Sequence, residues 1–256
     1  VKHDLIQYEI KRRAVQMRNT EVFFNPFRLI SPRLDAEASR LKEMFEAPPE
    51  EVTTLEEGLL IMTAKLVELT NLIRKALIMS VPEKLDECVR LAKEIHEEEK
   101  DLTGDLVHRP SETTGDLLKI VVLFPGRLER IGDLLESIIN VIRIKARDGV
   151  PFSDKAMVEL GELFGLFSEM LTNFRDALLT RNRTLLEKIV QQSHRIGEIV
   201  IEASLAHEDR LIEGVCSPKA SSLFLDILDS VRQGASHTRQ MAEALLKITV
   251  THEPTS

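Results

Sequence analysis

Three carboxylates in the stretch FPGRLERIGDLLESI, residues 124–138, have the spacing of a cation site. Glu129, Asp133 and Glu136 follow one another at steps of four and three, which on a helix stacks them on one face. Carboxylates at i and i+4 can bridge a hard or borderline cation through oxygen. One such pair leaves the coordination shell open, so a second helix or water must complete it. The acid-rich run KEIHEEEKD, residues 93–101, repeats the i, i+4 pairing with Glu97 and Asp101. The candidate metal ligands are therefore Glu129, Asp133, Glu136, Glu97 and Asp101, with iron, zinc or another divalent cation as the ion.

The same acids also fit an ordinary solvated helix face. At about 100° per residue, Leu128, Ile131, Leu135, Ile138 and Ile142 cluster on one side and the acids on roughly the opposite side. Arg130 stands three residues before Asp133, close enough to pair with it. Spacing alone does not decide between the two readings.

Catalytic patterns are missing. Di-iron carboxylate bundles need Glu-x-x-His on two helices; the nearest run here is Asp105-Leu-Val-His108, once. His207 and His237 fit packed or capping positions. No Ser/His/Asp order, Gly-rich phosphate loop or Walker pattern occurs, so the expectation is a protein that is not an enzyme.

Composition narrows the partners. The formal net charge is −8 and aromatics are 4% with no Trp, a poor basis for stacking bases or neutralising phosphates, so nucleic acid is not expected. Two cysteines, Cys88 and Cys216, form no framework and point to a reducing, cytoplasmic setting; Cys88 lies on an apolar face and reads as core filler. The run IVVLF, residues 120–124, is far shorter than the ~20 residues that cross a bilayer.

The elements that would carry these residues are helices. VKHDLIQYEIKRRAVQMRN, residues 1–19, is a basic amphipathic candidate, with five Lys/Arg against two acids, and is expected near a membrane surface. The linker APPEE precedes a helix opened by a Thr54/Glu57 capping box and running to about Met79. Ser80 and Glu83 open a second helix to about Val107, and a third covers roughly 113–147. Pro125-Gly126 should kink or break that third helix, because Pro125 removes the bond to the carbonyl of residue 121. Three more helices follow at about 154–180, 184–213 and 220–249. The run 73–95 aligns with 174–196, pairing Leu77 with Leu178, Val89 with Val190 and Ile95 with Ile196. The expected fold is all-α, a tandem pair of three-helix bundles: residues 1–50 a helical extension and linker, 51–150 and 151–250 the two repeats, 251–256 a tail.

RLERIGD resembles the third-helix signature of PhoU domains, which are tandem three-helix bundles with acid-x-x-x-Asp metal motifs. FSDKAMVEL (152–160), AHEDRLIEGVCSP (206–218) with FLDIL (224–228), and FFNPFRLISPRLDAEASRLKEM (23–44) are similar to the PhoU-like cytoplasmic region of bacterial sodium/phosphate cotransporters. The resemblance covers roughly residues 23–249. It implies a non-catalytic regulatory module in phosphate uptake, cytoplasmic and at the inner face of the cell membrane. The partners it implies are a phosphate transporter's membrane domain or transport complex, and a second copy of the chain. The alternative class is a carboxylate-bridged metalloprotein of the helical-bundle type. The family's first metal pair falls on Glu129 and Asp133. In the second repeat the matching positions are Arg232 and Ser236, or in another register Asp229 and Gln233. Neither register restores a pair of acids, so any metal binding should be asymmetric.

Overall fold

The computed structural model of the 256-residue chain describes residues 50–79, 83–107 and 120–251. The basic segment 1–19, the FFNPF run, the Ser80 cap and the turn after Val107 lie outside the described residues. Six α-helices are described: α1 (Glu50–Met79), α2 (Glu83–Val107), α3 (Phe124–Arg147), α4 (Asp154–Thr180), α5 (Arg183–Ile212) and α6 (Pro218–Thr251). The chain divides into two compact units, Val1–Glu57 and Gly58–Ser256; the contacts below belong to the second.

Local chemistry sets the helix ends. Ser153 accepts the N–H of Ala156 at 3.3 Å to cap α4, and Asn182 accepts that of Leu185 at 3.2 Å to cap α5. Ser217 accepts from Ala220 at 3.2 Å, with Pro218 as the first residue of α6, where its missing N–H costs nothing. Two helices end in the same way. Gly149 (φ 61°) and Gly214 (φ 73°) take the left-handed conformation after α3 and α5. The next N–H then reaches back along the helix, Val150 to Lys145 O and Val215 to Arg210 O, each at 2.9 Å.

One expectation needs correction: α1 begins at Glu50, so Thr54 lies within the helix and not at its start. Of the expected third helix, residues 113–119 lie outside the described residues, and α3 proper begins at Phe124. Ile120 and Val121 are helical, Val122 and Leu123 form a turn, and the helix restarts with Pro125 in its first turn. The break expected at Pro125-Gly126 is present. Leu123 lies on that turn and is 62% exposed.

The two repeats meet along antiparallel seams. Asn71, Arg74 and Ile78 of α1 face Ser168, Gly165 and Gly161 of α4 in that order. The α1 numbers rise by three and four while the α4 numbers fall by three and four, so the helices run in opposite directions. α3 and α6 do the same. Arg127 bonds Gln240 at one end, and Val141 and Ile144 pack on the Val150, Ala220 and Leu223 cluster at the other. Arg147 and Lys219 both bond Asp148 at that second end, and together they hold its carboxyl well below the usual carboxylate range. α2 packs on α3, α5 on α4, and α6 also on α4 and α5.

Few aromatics suffice because they are spent inside. Phe124, Phe164, Phe167, Phe174 and Phe224 are all fully buried, each contributing about 1.5–3 kcal/mol. Phe124 of α3 meets Phe174 of α4 at 6.1 Å between ring centres. Cys88 is buried, and burial pushes its thiol up to about 11, so it behaves as packing.

Phe167 presses onto Gly234 of α6, where an added Cβ would lie 2.8 Å from the ring's Cζ. The ring is 1% exposed and has nowhere to move. Gly234→Ala should therefore destabilise the fold: overpacking costs about 1–3 kcal/mol, against a gain of at most about 1 kcal/mol in helix propensity. A urea melt checks this, and a variant as stable as wild type would show that α4 and α6 can separate freely.

Candidate functional site

The acids of RLERIGD divide between two environments. Gly132 is buried where α3 crosses α2, and a Cβ there would lie 3.3 Å from Ile95 Cγ2. That close approach brings His96 beside Glu129, with Nδ1 to Oε1 3.4 Å. Glu129 is thus half-buried at the edge of the α2–α3 contact, its side chain 22% exposed, and not opposite the core as the helical wheel suggested. Asp133 and Glu136 are exposed, as expected. Arg130 is exposed and makes no ion pair with Asp133.

The acidic run of α2 is parcelled out around the helix. Glu98 and Glu94 turn to Lys65 of α1, at 3.1 and 3.7 Å. Ile95 enters the core, His96 meets α3, and Glu97 and Asp101 are exposed. Among the described residues, no three or more His, Cys, Asp or Glu side chains are gathered closely enough to hold a metal ion. Glu129 and Asp133 offer two carboxylates one turn apart, a donor set that fits a loosely held, largely hydrated cation and not a closed centre. In the second repeat, Asp229 accepts from both Arg232 and Gln233, and Arg232 holds its carboxyl below the usual range. Ser236 accepts from Gln240 at 3.3 Å.

A second constellation is more tightly built. Arg210 of α5 donates from Nη1 and Nη2 to Glu159 of α4 at 3.0 and 2.9 Å, both side chains largely buried. The guanidinium also stands 5.8 Å over the Phe224 ring of α6. His207, one turn earlier and 2% exposed, stacks on the same ring at 4.7 Å, and its Nε2 bonds Ser221 Oγ at 2.8 Å. Phe152 meets Phe224 edge-on at 6.1 Å. The Arg210 carbonyl accepts the N–H groups of Val215 and Cys216. FSDKAMVEL, AHEDRLIEGVCSP and FLDIL, separate in sequence, therefore meet as one buried polar knot. Sequence reasoning took His207 as a packed or capping residue but gave Glu159, Arg210 and Phe224 no role. The signal available was His and Arg three apart on one helix face, followed by a glycine stop.

An open groove of about 740 Å³ between α2 and α3, lined by Asp86, Asn140, Arg143 and Arg147 among others, lies apart from both constellations. Its arginines are already engaged, Arg143 with Asp86 and Arg147 with Asp148.

Six helices in two antiparallel-paired triplets make up the fold of the PhoU phosphate transport regulators. PhoU from Pseudomonas aeruginosa superposes with a TM-score of 0.72 at 17% identity, covering 79% of this chain and 98% of that one. The phosphate transport system regulatory protein PhoU from Streptococcus pneumoniae gives 0.68 at 17% identity, over 80% and 98%. A PhoU-like phosphate regulatory protein from Shewanella oneidensis gives 0.51 at 13% identity, over 77% and 99%. At these identities the likeness shows the fold. No family profile and no curated protein matches the sequence.

The knot carries a pH dependence. Burial, and then the charge of Arg210, push the His207 pKa below its usual value, with Glu159 and Glu208 opposing. The folded protein holds His207 neutral, while the unfolded chain takes up a proton near about pH 6.5. Below that pH the unfolded state binds more protons, so stability falls as pH drops from there toward the lower folded pKa. His237, also shifted down, adds in the same direction. Unfolding midpoints measured across the range should fall toward acid, and His207→Gln should flatten part of that slope; an unchanged slope would mean that His207 charges without leaving the fold.

Proposed function

We propose that this chain is a non-catalytic regulatory module of phosphate uptake that works by docking on a transport system. The observation that supports this best is the likeness over nearly the full length of PhoU from two bacteria, one of them named as a phosphate transport system regulator. Among the described residues no helix is long and apolar enough to cross a membrane, which fits a module that meets a transporter at the cytoplasmic face of the cell membrane. A second copy of the chain is a further candidate partner. The finer assignment is to the cytoplasmic region of a sodium/phosphate cotransporter. It rests on the likeness of the runs FSDKAMVEL and AHEDRLIEGVCSP to that region.

Removing the chain from its host, with the transport system left intact, should raise uptake of radiolabelled phosphate under phosphate-rich conditions. Uptake unchanged by removal would overturn the regulatory reading.

A divalent cation held by Glu129 and Asp133 belongs to the same proposal as a secondary feature. The site would be present in the first repeat and absent from the second, where Arg232 repels a cation and occupies Asp229. Glu129→Gln with Asp133→Asn should remove any bound metal without unfolding the chain. Elemental analysis with circular dichroism checks it. Equal metal in the folded double variant would move the site elsewhere, and two equivalents per chain would end the asymmetry.

A further inference from the structure

We propose that the α3–α6 seam binds a small tetrahedral oxyanion of the phosphate class between Arg127, Arg130 and His237. Arg127 is half-buried and donates through Nη1 to Gln240 Oε1, which fixes one guanidinium against α6. Arg130, one turn on, is exposed and enters no ion pair with any described residue. His237 stands one turn before Gln240 on α6, and since α3 and α6 run antiparallel it lies level with the turn of α3 that follows Arg127. Burial comes first among the influences on its titration, then the two positive charges, with no carboxylate opposing them. Its Nδ1 is buried and has no hydrogen-bond partner.

The neighbouring acids are engaged or solvated: Glu129 meets His96, Glu243 meets Arg239, and Asp133, three residues after Arg130, is exposed and makes no ion pair with it. The same end of α3 starts at Leu123 with no side-chain cap and has no acid in its first turn. That helix start also carries partial positive charge.

Two guanidinium groups and an imidazole thus line the α3–α6 seam, and among the described residues neither arginine is ion-paired. Their mutual repulsion is relieved when an anion enters. Guanidinium forks match the oxygen spacing of phosphate-type anions, and charge-assisted bonds to them are the strong ones. The unpartnered imidazole nitrogen supplies a further polar contact at the buried side. A metal cation would be repelled from the same place. This site is independent of the docking reading and would hold in a chain that regulates nothing.

The test uses the full chain and inorganic phosphate, with sodium chloride at matched ionic strength as control, following the His237 imidazole by NMR. A saturable response is expected, with His237 titrating at higher pH when phosphate is bound. Arg127→Gln with Arg130→Gln should weaken binding roughly tenfold or more, as loss of hydrogen bonds to a charged group does. Arg195→Gln, which touches only Glu198 and Glu202 on α5, should leave binding unchanged. Should the double variant fail to fold, the exposed Arg130→Gln alone carries the comparison. A response reproduced by chloride, no saturation in the wild type, or equal binding in the folded variants would each overturn the site.

Discussion

The ion pair between Glu159 and Arg210 is the interaction on which the second repeat depends. A guanidinium taken out of water needs a partner, and removing one member of a buried pair costs about 3–5 kcal/mol. Here both guanidinium nitrogens reach the carboxylate, so α4 and α5 are fixed in both distance and rotation. The same residue closes α5, because its carbonyl collects the N–H groups that follow Gly214. Its flat face covers Phe224 of α6. One side chain thus links three helices, and His207 and Ser221 seal the gap beside it. The first repeat uses a looser device at its α1–α2 contact, a lysine shared between two acids, Lys65 with Glu94 and Glu98.

Helices α4 and α5 were legible to within a residue or so, because Ser153, Asn182 and Gly214 state their ends in local chemistry. The tandem repeat was legible because its apolar spacing recurs. The start of α1 was misplaced because a capping-box spacing inside a helix looks the same as one at its end. What could not be read was which helix faces which. A helical wheel places Glu129 relative to its own core stripe, but it knows nothing of Gly132, whose missing side chain draws α2 in and takes Glu129 with it. Likewise the acids at 94 to 101 form one run in sequence but divide in space, Glu94 and Glu98 toward Lys65 and Glu97 and Asp101 toward solvent. The knot residues lie some fifty residues apart, so no local pattern announces that Glu159 and Arg210 meet.

The two repeats share a backbone plan and differ in charge. Along α3, Glu129 meets α2 and Arg127 reaches α6, while Arg130, Asp133 and Glu136 are exposed. On α6, Arg232 and Gln233 use up Asp229, and His237 stands where α3 presents its arginines. One helix therefore carries opposite charge on neighbouring faces, and the fold keeps those faces apart by placing a different helix against each.

Antiparallel seams between the repeats have a consequence for how the chain is made. α1 can find α2 as soon as both have left the ribosome, but its partner across the seam, α4, comes about a hundred residues later. α6 closes against α3, α4 and α5 and is the last of the six to emerge. Until then the apolar sides of three helices wait uncovered, the kind of surface on which nascent chains associate wrongly. A premature stop before α6 would therefore not yield a smaller working protein but one with an open core. The fold is effectively a single decision, taken only when the final helix arrives.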